Sequence, residues 1–464
     1  MRAQMLAKRR LVEAGEYAVP QLLEVIKAGN NPELELACTN VLEEIKRFAV
    51  LPLCAAMGDL APEIQVKVCR ILSAIGWPTA IPYLLDLSQT KTASKEVRDA
   101  ASLAFRRLGG TSTDTSAAFA ALSRKFFDEE QSLVAYPSDP TNIVWSYENN
   151  AGLIGTSVPT EIYSQVMAMK TARMALDLEP SNRTALSLFV AADLRRENQL
   201  ASGQVDPFAA DARYSPQFFA TASGVDIARS VLAMAIDKSD TALVRDAIEA
   251  LGKTAGSGAM FNTGGRQPLL ECLRYPDRRV QYDAALVLGS ALPKRGFPGD
   301  GQVVQLLASA VRGGGSSYAV VIASSDENRN QIGGMLRDNG FTVLNGGETF
   351  YEVEPEIVKS SGVDLIVVDT QAKDAGKIVG QIRTNEMTSA TPVVVVTDRA
   401  NITSMNREFS SDNATGAWIA GTSPEAFRNA TNNLIRRASG GLMTQADVMS
   451  YTRDALETLH TIAI

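Results

Sequence analysis

Histidine occurs once, at His460, and cysteine four times, at Cys38, Cys54, Cys69 and Cys272, in 464 residues. That scarcity excludes much chemistry. One imidazole and scattered thiols make a transition-metal site a poor expectation, and the usual general base is missing. No two cysteines form a CxxC pair, and each lies in an amphipathic helical run, where a thiol reads as a small core residue. A disulfide between neighbouring repeats is not readable from spacing. No apolar run approaches the roughly 20 residues that span a bilayer. The basic stretch Met1 to Arg10 has no apolar segment behind it, so it is not a signal peptide. Nucleophile elbows, HExxH and Walker loops are also absent. Residues 255–265 are rich in glycine but follow a helix and lack the Walker lysine, and they read as a flexible inter-helix loop. A net charge of -7 disfavours a bulk nucleic-acid binder, because phosphate neutralisation needs clustered Lys and Arg.

What is present first is a repeat. Ala18-Val19-Pro20, Leu51-Pro52 and Ala80-Ile81-Pro82 recur at near-equal intervals, each opening an apolar helical segment, a polar turn and a second helix. The second helices are predicted over Leu34 to Lys46, Glu63 to Gly76 and Lys95 to Gly109. In the third, Val97, Ala100, Ala101, Ala104 and Leu108 form one apolar stripe. Gly76 and Gly109 stand where a helix end favours positive φ, and Pro32 and Pro62 where a missing N–H costs nothing. Such helix pairs complete their core by stacking. The pattern returns over residues 223–315: Asp240 to Gly252 and Asp277 to Gly289 align without a gap, each opening on an aspartate suited to capping.

Val97-Arg98-Asp99-Ala100-Ala101 resembles the second helix of the HEAT family, and the segments at 240 and 277 resemble it closely. Arg245 falls at the family's arginine position; Gln281 replaces that arginine in the next segment, and Ile64-Gln65-Val66 also lacks it. The resemblance implies an all-α superhelical solenoid over residues 1–110 and 223–315 that offers its surface to protein partners. Residues 111–222 read as an irregular helical linker. Within it, Ala175-Leu-Asp-Leu-Glu-Pro-Ser-Asn182 looks like a junction between tetratricopeptide repeats, with helices over Glu161 to Leu178 and Arg183 to Arg196. Trp145 and Tyr147 are suited to lining a ligand site, but packing of the joint between the two solenoid halves is the favoured reading.

Over residues 316–440 the period changes. Strands are expected at 318–323, 341–344, 363–368, 391–397 and 416–419, alternating with helices, which implies a doubly wound parallel sheet of flavodoxin-like type. Order and lengths resemble the response-regulator receiver. By that resemblance Asp369 corresponds to the phospho-acceptor and Thr397 to the switch hydroxyl. Asp326 and Glu327 lie near the Mg²⁺-binding acidic pair and, with Asp369, are the only metal-ligand candidates. The departures are several. Ser324 and Ser325 stand at the acidic pair itself, Ala420-Gly421-Thr422 stand where Lys-Pro belongs, and Asp398 follows Thr397 where a small residue is usual. Without the lysine a phosphoryl group has nothing to offset its charge.

The last run, Thr444 to Ile464 within residues 441–464, reads as a helix that docks on the α/β domain or opens a further element. Both chain ends read as cut, with a targeting segment missing, and the location expected is cytoplasmic. The function expected is a non-enzymatic protein–protein scaffold with a pseudo-receiver docking domain. It has no nucleic-acid partner and no small-molecule substrate, and the mix of families suggests a bacterial source. The alternative is a regulator phosphorylated at Asp369.

Overall fold

Helix pairs form where the sequence supplies capping side chains or a proline in the first turn. The computed structural model describes residues 2–201, 203–209, 213–256, 260, 265–292, 296–312, 315–360, 362–410 and 412–464. They fall into two compact units, Met1–Arg213 and Tyr214–Ile464. Most of the glycine-rich segment 255–265 lies outside the described residues.

The first unit begins with α1 (Arg2–Glu13), α2 (Val19–Ala28), α3 (Pro32–Ile45), α4 (Val50–Met57), α5 (Pro62–Ile75), α6 (Ile81–Gln89) and α7 (Lys95–Arg107). Asn31 caps α3 by accepting from the Glu33 and Leu34 amides, and Ser94 caps α7. Pro32 and Pro62 occupy the first helical position, as the pattern predicts. Gly76 takes φ 71° and its amide donates to the Leu72 carbonyl, which ends α5. The pairs α2/α3, α4/α5 and α6/α7 pack internally, and the second helices α3, α5 and α7 pack in series. Val97 and Ala101 of the expected stripe are fully buried; Ala100 and Leu108 are partly buried. All four cysteines are free and buried, in agreement with their reading as core residues.

α8 (Thr115–Phe127) follows, then a β-hairpin of β1 (Thr141–Glu148) and β2 (Gly152–Pro159), then α9 (Thr160–Leu178) and α10 (Arg183–Gln199). The helical hairpin α9/α10 packs on α8 around Phe119, Phe126, Phe127 and Tyr163. The hairpin differs from the irregular helical segment expected. Its register pairs Thr141 with Pro159 and Glu148 with Gly152, and Gly152 turns the chain at φ 75°. The β-branched and aromatic run Ile143-Val-Trp-Ser-Tyr147 before Asn-Asn-Ala-Gly is its local cause.

The second unit holds α11 (Pro216–Ala222), α12 (Val225–Asp237), α13 (Thr241–Thr254), α14 (Pro268–Glu271), α15 (Arg278–Ser290) and α16 (Asp300–Arg312). Asp240 and Asp277 cap α13 and α15. The α/β domain comes next: β3 (Ser317–Ala323), α17 (Asp326–Asp338), β4 (Phe341–Val343), α18 (Phe350–Lys359), β5 (Leu365–Asp369), α19 (Ala372–Thr384), β6 (Val393–Thr397), α20 (Ile402–Glu408), β7 (Thr415–Ile419) and α21 (Pro424–Ser439). The parallel sheet runs β4-β3-β5-β6-β7, so the first strand lies beside both the second and the third. Helices cover both faces. α18, α19 and α20 bury Phe350, Ile357, Ile382 and Met405 against one; α17 and α21 bury Leu336, Phe427 and Ile435 against the other.

α22 (Gln445–Ala463) closes the chain. It does not open a separate element or cover the α/β sheet. It packs along α16 and α15, and is thus the second helix of the pair that α16 begins. The α/β domain is inserted in the loop of that pair. The sequence carries this relation: Thr452-Arg-Asp-Ala-Leu-Glu-Thr-Leu459 repeats Val244-Arg-Asp-Ala-Ile-Glu-Ala-Leu251 of α13, sharing the Arg, Asp, Ala, Glu and final Leu. Ala247 and Ala455 are both fully buried.

α22 approaches α15 closely at Gly289, where a β-carbon would lie 2.7 Å from Thr458 Cγ2. Gly289→Val is therefore expected to overpack this contact and cost on the order of 1–3 kcal/mol. Urea unfolding reads the loss, and hydrogen exchange localises it to α15 and α22.

Candidate functional site: the two edges of the parallel sheet

In an open parallel sheet, ligands bind beyond the carboxyl ends of the strands, at the point where strand order reverses. Here that point lies between β3 and β5. Asp369 ends β5, and its main chain is fixed to the β3 end by the Ser324 amide, which donates to the Asp369 carbonyl at 3.2 Å. Thr397 ends β6 and is buried. Its carbonyl accepts from the Ala420 amide at 2.8 Å.

Sequence order put Asp326 and Glu327 near Asp369, but α17 starts at Asp326 and turns both outward. The Asp326 side chain is 89 % exposed and pairs with Arg329 one turn on; Glu327 is exposed. The residue that reaches Asp369 is Asn328, whose Nδ2 donates to Asp369 Oδ2 at 2.8 Å. Among the described residues no group of three or more His, Cys, Asp or Glu side chains is placed to hold a metal ion. The candidates Asp326, Glu327 and Asp369 therefore do not converge on Mg²⁺, which needs several oxygen ligands at close to octahedral angles. Ala420, Gly421 and Thr422 turn the chain after β7, Gly421 at φ 75° and the Thr422 hydroxyl donating to the Ile419 carbonyl. Asp398 Oδ1 accepts from the Asn401 amide. The Thr370 hydroxyl, next in the chain to Asp369, is buried without a partner among the described residues. What this edge offers at the switch point is one carboxylate with an amide across from it.

The opposite edge, at the amino ends of the strands, is more densely wired. Asp364 precedes β5 and its Oδ2 accepts from the Tyr318 amide at 2.8 Å and from Arg278 of α15 at 3.3 Å. The same guanidinium donates to the Ser316 carbonyl at 2.7 Å. Arg279 donates to the Ser439 carbonyl at the end of α21 at 2.7 Å, and to Asp277 at 3.3 Å. One turn along α15, Asp283 accepts from Arg245 of α13 at 2.9 Å and from the Tyr451 hydroxyl of α22 at 2.6 Å. Burial pushes the Asp364 and Asp283 carboxyls up, against the opposing pull of Arg278 and Arg245. Burial also raises Asp277, but Arg279 and Arg245 outweigh it and hold that carboxyl below its ordinary range. Three arginines and three aspartates thus join α13, α15, α21, α22 and the sheet edge. Sequence reasoning placed Arg245 at a family position but did not anticipate its partners, which are far off in the chain.

The first unit holds a separate polar centre that the sequence did not mark. Glu16 is 3 % exposed. Its Oε2 accepts from Trp145 Nε1 of β1 at 2.9 Å, while its Oε1 has no partner among the described residues. Lys170 of α9 donates to the Trp145 carbonyl, and Tyr136 stacks between Tyr17 and Phe48 close by. Glu16, Arg47, Phe48, Trp77 and Thr79 line a cleft of about 20 Å³, enough for about one water. Trp145 thus packs and anchors β1 within the first unit. Burial, eased by the Trp145 hydrogen bond, pushes the Glu16 carboxyl up to about 7.

Two predictions follow from these centres. Removing Arg278 leaves Asp364 buried without its cation, so Arg278→Ala is expected to cost about 3–5 kcal/mol in urea unfolding. Arg278→Met combined with Asp364→Asn, which retains an acceptor for the Tyr318 amide, costs less. For Glu16, the folded chain holds a proton that the unfolded chain has released between the ordinary carboxylate range and about pH 7. Stability from this group therefore falls as pH rises through that window and levels above it, by on the order of 3 kcal/mol. Glu16→Gln flattens that part of the stability–pH curve; an unchanged slope refutes the assignment.

No protein-family model matches this sequence, and no curated protein matches it.

Proposed function

We propose that the chain is a non-enzymatic scaffold for protein partners, built on HEAT-type helix pairs that carry a receiver-like α/β domain as a fixed module. The observation that carries this is the insertion of the α/β domain in the loop of the α16/α22 pair, with its amino edge pinned by Arg278 and Arg279 to the neighbouring second helix. A module held at both chain connections and along one sheet edge suits display of a surface better than large movement. The HEAT-like segments at 97, 244 and 278 supply helix-pair surfaces of the kind that bind proteins. The reading is of a cytoplasmic protein without nucleic-acid, metal or small-molecule chemistry. Among the described residues no helix is long and apolar enough to cross a membrane.

The second reading, phosphorylation at Asp369, is favoured by the place of that carboxylate at the end of β5, with Thr397 ending the adjacent strand. Against it stand Asn328 on Asp369 Oδ2 and the absence of a lysine at 420–422. Intact-mass measurement after treatment with Mg²⁺ and acetyl phosphate separates the two. No added phosphoryl group is expected. One added group, absent from Asp369→Asn, overturns the fixed-module reading in favour of a switch.

A further inference from the structure

Among the described residues the two sheets present four outer edges, those of β1, β2, β4 and β7, and three of them are guarded. β4 is only three residues long. At β7, Arg437 donates to the Thr415 carbonyl at 3.3 Å. At β1, Lys170 of α9 donates to the Trp145 carbonyl. Short strands and cations of this kind keep sheet edges from pairing with other chains. β2 has no such guard. It runs for eight residues, Gly152–Pro159, without a charged side chain, and its one proline stands last.

The alternation of an antiparallel ladder decides which groups of β2 look outward. The Thr160 amide donates to the Pro140 carbonyl at 3.0 Å. Every second pair from there, 142 with 158 through to 148 with 152, therefore exchanges its main-chain bonds inside the hairpin. The residues between them, Leu153, Gly155 and Ser157, turn their N–H and C=O groups to the outer side. None of these groups has a partner among the described residues. Gly155 and Ser157 are exposed, and Leu153 is half-buried. We propose that β2 is a homodimer edge, pairing antiparallel with β2 of a second copy across a two-fold axis at Gly155. In that register Gly155 faces Gly155 of the other copy, and Leu153 faces Ser157. Each facing pair is of the bond-exchanging kind, so every outward N–H and C=O of both strands gains a partner. The strand is thus complementary to itself, and it carries no charge that would repel its own kind. The devices that stop copies from pairing stand at the other three edges and are missing from this one. The interface is independent of whether Asp369 is modified or the helix pairs bind other proteins. One strand pair buries an area at the low end of specific interfaces, so a weak, concentration-dependent dimer is expected.

Sedimentation velocity of the full chain over a concentration series tests this. The wild type is expected to pass from monomer to dimer. Ser157→Pro removes an outward amide and no bond of the hairpin. It deletes one inter-copy bond on each side of the axis and is expected to weaken the dimer by at least about tenfold. Ser157→Ala keeps the amide and is expected to leave the dimer unchanged. Ser157→Lys, which supplies the guard this edge lacks, gives a second test if the proline disturbs folding by circular dichroism. Hydrogen exchange reads the register. The Leu153, Gly155 and Ser157 amides are expected to exchange fast in dilute protein and to slow as the dimer forms, while those of Ile154 and Thr156 stay protected throughout. A wild type that is monomeric at every concentration overturns the proposal and leaves the edge to a strand of another protein. So does a dimer that neither Ser157→Pro nor Ser157→Lys affects, or one in which the three outward amides stay unprotected.

Discussion

The second unit depends on a buried cation meeting a buried anion across two kinds of structure. Arg278 belongs to a helix of the repeat and Asp364 to the edge of a parallel sheet. Their side chains are 8 % and 16 % exposed. Neither charge is tolerable there alone, since desolvation of an unpaired ion costs several kcal/mol. Arg278 also donates to the Ser316 carbonyl and Asp364 also accepts from the Tyr318 amide, while Arg278 Nε is buried without a partner among the described residues. The pair therefore fixes position more than it adds stability: an apolar contact of equal size would hold the two parts together without setting their register.

Local pattern made much of the fold legible. The second helices at 34, 63, 95, 240 and 277 appear within a few residues of where caps and stripes put them, because Asn31, Ser94, Asp240 and Asp277 act on amides two or three residues away and Pro62 opens the helix at 63. The strands of the α/β domain are equally clear, since Val393 to Val396 must be covered on both faces. What escaped was nonlocal or competing. Nothing in the spacing singles out Asn328 over its neighbours Asp326 and Glu327, and only the start of α17 decides which of the three reaches Asp369. Glu16 meets Trp145 across 129 positions, and no spacing rule reaches that far. The β-hairpin stands between helices on either side, and its short run of β-branched and aromatic residues is a weaker signal than theirs. The second-helix signature in α22 was hidden by distance from its repeat neighbours.

The carboxyl edge of the sheet and its amino edge carry opposite loads. At the amino edge six charged side chains balance in pairs, and the starts of β3 and β5 are tied down. At the carboxyl edge Asp369 meets a neutral amide, and the acidic side chains point to solvent. The edge spared of structural duty is the one beyond which open parallel sheets hold ligands.

The inserted position of the α/β domain also orders events during folding. The α16/α22 pair closes only when residues 313–444 bring its ends together. The chain-entropy cost of such a loop rises slowly with length, by about 0.6 kcal/mol for each doubling, but a collapsed insert with adjacent ends removes most of it. Helices α13 and α15 form from local contacts and are fast by topology, whereas the parallel sheet is slow. The last pair therefore assembles late, after the sheet, and the inner face of α15 stays open until it does. An insert that fails to fold leaves that apolar face bare, so the repeat reports on the state of the domain it carries.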